Sequence, residues 1–209
     1  MAYLKLSREA LLGIDKKEKF SFADILLICL LAITLSSVII QTTWLSPVKV
    51  DGASMNVTLQ DEDWLYMSKI KKPRVGDVVV FERSENVNYI KRIIALEGDT
   101  IRSKNGVIQI KKKGENVWKD FDDSHAYYSK MPYETIIENG REIKVGKGEM
   151  FVLGDNRHDS LDSRTIGLVS TDSILGIVPE WAIKYKEHYA PYLDFIEKVR
   201  NWLEELKKK

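Results

Sequence analysis

The sequence predicts a mainly β domain carried on one N-terminal membrane-spanning helix, and three observations lead there. The run from Ile25 to Val48 holds no charged residue, and a helix needs about 20 largely apolar residues to cross a hydrocarbon core. Beyond it the chain breaks into short runs rich in β-branched and aromatic residues, which suit strands better than helices. Two Asn-Gly pairs, Asn105-Gly106 and Asn139-Gly140, stand between such runs, and that dipeptide favours the two-residue turns of β-hairpins.

Composition limits the function classes. With 209 residues, 44% of them hydrophobic and 30% charged, the chain has material for one anchor and one medium-sized domain with its own core. The 32 basic residues nearly balance the 31 acidic ones, for a net charge of +1, so nucleic acid is not an expected partner. The single cysteine, Cys29, lies inside the apolar run and allows neither an internal disulfide nor a cysteine metal site. His125, His158 and His188 lack ligand-like spacing, so no metal and no cofactor are expected.

Residues 1–20 carry Lys5, Arg8, Lys16, Lys17 and Lys19, whereas Lys49 stands nearly alone after the apolar run. By the positive-inside rule, 1–20 is then a cytoplasmic segment, 21–45 a single-pass anchor in the cell membrane with Trp44 at headgroup level, and 46–185 an extracytoplasmic domain. A cleavable signal peptide fits less well, because no small-x-small site precedes a clean domain start after Ile40. Pro47 is expected to end the helix, since its ring removes a backbone donor and biases Ser46 to extended geometry. The short tether to Ser54 keeps that residue within roughly 25 Å of the membrane exit.

The expected strands are Trp64 to Ser68, Asp77 to Glu82, Asn88 to Leu96, Thr100 to Lys104, Val107 to Lys112, Glu149 to Leu153 and Ser173 to Val178. The section from Gly114 to Met131 is polar and dotted with aromatics, and with the second Asn-Gly pair it reads as a hairpin-rich insertion over about 104–148. Residues 190–209 read as a C-terminal amphipathic helix, since Tyr192, Phe195, Ile196, Val199, Trp202, Leu203 and Leu206 recur at three- and four-residue steps. Such a helix either packs on its own domain or lies in the membrane interface.

Chemistry is expected at Ser54, in Asp51-Gly52-Ala53-Ser54-Met55. A serine hydroxyl needs a base to take its proton, and the outer domain offers no convincing histidine. Strand alternation puts Lys91 on the same side as Tyr89, Ile93 and Ala95, an apolar face where burial favours the neutral amine. A base working near pH 7 to 8 requires a drop of about 3 units from the ordinary lysine value, roughly 4 kcal/mol. The stretch Gly154 to Arg164 packs Asp155, Asn156, Arg157, Asp159, Ser160, Asp162, Ser163 and Arg164 between apolar runs, as a loop held by its own ion pairs would.

Val50 to Met55, Gly76 to Phe81, Tyr89 to Arg92 and Gly154 to Arg164 occur in the order of four conserved boxes of type I bacterial signal peptidases. The chain resembles that family in its short, Gram-positive-like form from about residue 20 to 180. The resemblance implies a β-barrel-type catalytic domain and a membrane serine endopeptidase that works through an acyl-enzyme. Its partners would be the bilayer and secretory preproteins, which it would cut after small-x-small (Ala-x-Ala-like) sites. It also implies Ser54 as nucleophile and Lys91 as general base, with Ser160 orienting the lysine amine. Asp155, Arg92, Asp162 and Arg164 would support the site, and the Ser54 backbone N–H in the Gly52 region would form the oxyanion hole. The chain departs from the family pattern at Val57, where proline is usual, and at Ala95 and Glu97, which replace a glycine and a proline. A lost proline would cost about 0.4 to 1 kcal/mol through the unfolded state. A self-cleaving repressor shares the Ser/Lys chemistry but needs a DNA-binding region in place of an anchor. An inactive accessory relative would lack Ser54 or Lys91.

Overall fold

The computed structural model describes residues 21–127 and 141–208. The basic N-terminal segment and the Asn139-Gly140 turn therefore lie outside the described residues. The chain divides into two compact units between Gln41 and Thr42.

Helix α1 is Phe22–Thr43, and its residues up to Gln41 belong to the first unit. Its start is capped reciprocally: Ser21 Oγ accepts from the Ala23 N–H and Asp24 Oδ2 accepts from the Ser21 N–H. Thr34 and Ser36 donate their hydroxyls to the carbonyls of Leu31 and Ile33, which leaves no unsatisfied donor on those side chains. Its leucine and isoleucine side chains are exposed all round, a surface suited to an apolar solvent rather than to water. By length and composition, Phe22–Ile40 is able to cross a membrane.

In the second unit the described strands are β1 Leu45–Lys49, β2 Trp64–Ser68, β3 Val78–Ser84, β4 Val87–Leu96, β5 Thr100–Lys104, β6 Val107–Lys111, β7 Lys119–Asp120, β8 Ile143–Lys144, β9 Glu149–Leu153, β10 Val169–Ser170 and β11 Ile174–Val178. They form a seven-stranded sheet, β1-β2-β11-β3-β4-β9-β10, and a four-stranded sheet, β7-β6-β5-β8, with every paired neighbour antiparallel. The mainly β class read from the sequence holds. The helices of this unit are α2 Ser163–Ile166, α3 Glu180–Lys184 and α4 Lys186–Lys207.

Two differences from the sequence reading have local causes. Helix α1 ends at Thr43, and Pro47 sits inside β1 rather than just after the helix. A proline is tolerated there because β1 is an edge strand, with a ladder partner on one side only. In β4 the alternation expected through Ala95 holds only to Ile93. The register against β9 shifts between Ile93 and Ala95, and Ile94 and Ala95 both enter the core shared with β5 and β6. A bulge re-aims the strand in this way, and with it β4 serves both sheets.

Alternation in β3 divides the remaining core. Val78 and Val80 pack with Val50, Met55, Leu59, Leu65 and Val178, while Val79 and Phe81 pack with Ile93, Met150, Val152 and Ile177. The first cluster holds the loop that carries Ser54, because Val50 and Met55 are fully buried on either side of it.

Candidate active site

Met55 anchors the Ser54 loop, and a short helical turn follows, with the Leu59 N–H donating to the Met55 carbonyl at 2.8 Å. The opposite wall is the loop after β9. There the Asn156 N–H donates to the Ser54 carbonyl at 3.1 Å and Asn156 Nδ2 to the Ala53 carbonyl at 3.0 Å. Gly154 makes this approach possible, since a β-carbon at that position would overlap Ser160 Oγ and stand 2.5 Å from the Ser54 carbonyl oxygen. The Gly52 N–H is taken up by Asp61 Oδ1 at 2.8 Å, whereas the Ser54 N–H has no acceptor among the described residues.

Lys91, on β4, is 4% exposed. Its Nζ is a hydrogen-bond donor to Ser54 Oγ at 2.7 Å and to the Ile90 carbonyl at 2.8 Å, and it lies 5.2 Å from the centre of the Tyr89 ring. No carboxylate stands within ion-pair distance of it among the described residues. Burial pushes its pKa from 10.5 down to about 8, and Asp162 and then Asp155 pull the other way.

The other buried charges are matched. Asp155, fully buried, takes a bidentate pair from Arg92, with Nε to Oδ1 at 2.8 Å and Nη2 to Oδ2 at 2.6 Å. Arg92 spends its remaining arm on the Gly76 carbonyl. Asp162, also fully buried, caps α2, accepts from the Gly154 N–H at 2.9 Å and pairs with Arg164 at 2.7 Å. Arg164 reaches on to the Arg157 carbonyl. Such forked, doubly bonded pairs offset the desolvation that burying each charge costs. The sequence-predicted Ser54, Lys91, Arg92, Asp155, Asp162 and Arg164 therefore fall in one region. Ser160 is there too, but its Oγ is buried without a hydrogen-bond partner, and the expected contact with the Lys91 amine is not formed in this structure.

A second set of supports comes from the polar, aromatic-dotted stretch read from the sequence as part of the insertion. Asp123 holds both arms of the buried Arg157 at 2.5 Å, the Tyr127 N–H donates to the Asp155 carbonyl at 2.7 Å, and the Arg157 N–H donates to the Tyr127 carbonyl at 3.0 Å. His125 stands 3.9 Å from Asp155, and burial together with Arg92 holds its pKa below the usual value. The polar run Asp122-Asp123-Ser124-His125 was the available signal for this strap. The departures from the family pattern take on definite roles. Glu97 bonds Lys113 Nζ and the Gly148 N–H. Val57 has φ +90°, a conformation closed to proline, whose φ is fixed near −65°. The expected cost of a lost proline therefore does not apply at Val57.

Ser54 and Lys91 line a cavity of about 380 Å³ whose other walls include Val48, Val80, Val87, Tyr89, Ile90 and Leu161. Lys49, Asp51 and Asn88 complete the lining, so the cavity is mixed in character. A buried amine that loses its proton easily, in contact with a hydroxyl at the edge of such a cavity, is equipped for nucleophilic acyl transfer.

Residues 22–181 match the family model described as signal peptidase, peptidase S26. A signal peptidase I of Bacillus amyloliquefaciens is 34% identical over 145 residues, which span 67% of this chain and 77% of that protein. A signal peptidase I P of Bacillus subtilis subsp. natto is 33% identical over 171 residues, 78% of this chain and 90% of that protein. The crystal structure of a signal peptidase I from Enterococcus faecalis V583 is 29% identical and covers 53% of this chain and 99% of that one, with a TM-score of 0.40.

Proposed function

Because this chain belongs to the signal peptidase family, a group of serine endopeptidases that remove signal peptides from secretory preproteins, we propose that Ser54 is its nucleophile and Lys91 its general base. The observation that carries the proposal is the 2.7 Å contact between Lys91 Nζ and Ser54 Oγ at an amine whose pKa is lowered to about 8. At pH 7 roughly a tenth of such an amine is neutral, about 300-fold more than for an ordinary lysine.

The neutral amine takes the Ser54 proton as Oγ attacks the scissile carbonyl. The developing oxyanion is held by the Ser54 N–H, which has no acceptor among the described residues, and one such donor is typically worth about 2.7 to 4 kcal/mol. The Gly52 N–H is spent on Asp61, so Gly52 contributes its left-handed turn, φ +92°, rather than a donor. The tetrahedral species collapses as the Lys91 ammonium gives its proton to the leaving amine, which departs with the mature chain and leaves the signal peptide on Oγ. Water, deprotonated by Lys91, then releases the acyl group. Ser160 acts as a positioning residue, its unpartnered Oγ being free to orient the amine, while Arg92, Asp155, Asp162 and Arg164 hold both loops.

An extended substrate directs alternate side chains to one side, so two small residues flanking a third would enter the same cavity, with Val48, Val80, Ile90 and Leu161 among its apolar walls. Helix α1 would span the bilayer with the basic N-terminal segment inside and the catalytic unit outside, delivering that cavity to membrane-held preproteins. The test uses detergent-solubilised full chain, a preprotein bearing an Ala-x-Ala site, and sequencing of the new N-terminus. We expect cleavage after the second alanine by the wild type and none by Ser54→Ala with the fold retained. Turnover by Ser54→Ala overturns the Ser/Lys assignment.

A further inference from the structure

Helix α4 carries two stripes, and only one of them is used within the protein. Lys186 pairs with Asp63, the Tyr189 hydroxyl donates to the Ala182 carbonyl and its ring packs on Tyr66, Leu193 is buried, and Glu197 lies 3.8 Å from Lys49. These residues recur at three- and four-residue steps and dock the helix on the β1–β2 edge of the large sheet. Tyr192, Phe195, Ile196, Val199, Trp202, Leu203 and Leu206 form the second stripe, covering about 120° of the helix surface at 3.6 residues per turn. Phe195 is 60% and Trp202 58% exposed. The alternative in which this face packs on its own domain is not what the structure has.

We infer that this second stripe of α4 lies in the headgroup–acyl boundary of the bilayer, as a second membrane contact beside the anchor. The inference rests on the reading of α1 as a membrane span. Lys49 follows the end of α1 by six residues, so the covalent chain holds it within roughly 20 Å of the membrane exit. Its ion pair with Glu197 brings the middle of α4 to the same level. The stripe has the make-up of an interfacial face, with large aliphatic residues and an exposed Trp202. A second copy of the chain is a poorer occupant, because a stable protein interface takes roughly 20 to 30 residues from each side and this stripe supplies seven. Acidic and basic residues nearly balance along α4, so the contact is apolar in origin and needs no anionic lipid.

The test places a nitroxide on the full chain in phosphatidylcholine vesicles, using Leu203→Cys or Asn201→Cys in a Cys29→Ser background. Leu203 is on the apolar stripe and Asn201 lies almost opposite. The ratio of oxygen to water-soluble nickel-chelate accessibility should be at least about fivefold higher at Leu203 than at Asn201. Equal ratios overturn the inference, and so does spin–spin broadening at Leu203, which marks a second copy. In the same vesicles, Phe195→Glu with Trp202→Glu should slow cleavage of a membrane-inserted preprotein by about tenfold or more and leave cleavage of a short soluble peptide unchanged. Equal loss on both substrates assigns the stripe to packing and refutes the inference. Should Ser54→Ala still cleave, the catalytic reading fails while the label result stands by itself.

Discussion

Replacing Lys91 with methionine keeps an unbranched side chain of similar length beside Tyr89 and removes the buried amine. The lowering of its pKa from 10.5 to about 8 is worth about 3.4 kcal/mol between the charged and neutral forms. The unfolded chain holds the proton up to about pH 10.5, whereas the folded chain releases it near pH 8. Between those values the unfolded state binds more protons, so this group makes stability rise with pH from about 8 to 10.5, with its full cost present below pH 8. The methionine variant loses two hydrogen bonds, to Ser54 Oγ and the Ile90 carbonyl, each worth about 0.5 to 1.5 kcal/mol. At pH 7 the variant should therefore be more stable than the wild type by about 1 to 2 kcal/mol, and the sign should reverse toward pH 10.5, where the charge cost is gone and the two lost hydrogen bonds remain. Urea unfolding of both proteins across that range measures the difference directly, since every other titrating group cancels. Preprotein cleavage should be abolished, and in the wild type the acid limb of kcat/KM should fall near pH 8. A variant no more stable at pH 7, with a pH dependence parallel to the wild type, refutes the buried-base argument.

Gly154→Ala should misplace Asn156 and the Ser54 carbonyl, lowering kcat by about 100-fold or more and stability by about 1 to 3 kcal/mol; unchanged kinetics would mean the two loops separate without cost. Val57→Gly should stabilise the protein by about 1 kcal/mol, since relieving the positive φ gains about 1 to 3 kcal/mol and glycine entropy takes back about 0.5 to 1. Val57→Pro, the residue usual in the family, should destabilise it by about 3 kcal/mol, and thermal melts of the two variants decide the sign. A protease added to intact wall-stripped cells should digest the region beyond residue 46, and digestion only after lysis would reverse the proposed orientation.

Legibility followed the range of the interactions. Strands β2, β5 and β9 begin and end where the apolar pattern and turn residues place them, and Asn105-Gly106 makes the expected hairpin with both residues at positive φ. Strand β1 was not legible, because a segment containing Pro47 looks like a helix exit until its pairing with β2 is known. Helix α4 starts earlier than Pro191 suggests, since docking of Lys186 and Tyr189 on the β domain supports a turn that local preference would not. Ser54 and Lys91 stood out as candidates by their residue types and by family resemblance, and the structure brings their side chains to 2.7 Å of each other. The strap from Asp123 to Tyr127 was not legible, because it acts through one long-range ion pair and backbone bridges that leave no periodic trace.

The strap bears on why Lys91 has no ion-pair partner among the described residues. Asp155 and Asp162 are the carboxylates that raise the Lys91 pKa, and an unmatched carboxylate at either position would hold the amine in its charged form. Each is instead saturated, Asp155 by Arg92 and Asp162 by Arg164. Arg157, which stands between the two pairs in sequence, is itself matched by Asp123 from the strap. With Asp123, Asp155 and Asp162 each paired with an arginine, which keeps its proton at any physiological pH, desolvation is the largest influence on Lys91. The dense ionic loop that looks like an electrostatic support for the proposed base thus acts in the opposite sense. It removes negative charge from the neighbourhood of the amine, so that the lysine beside Ser54 can be neutral.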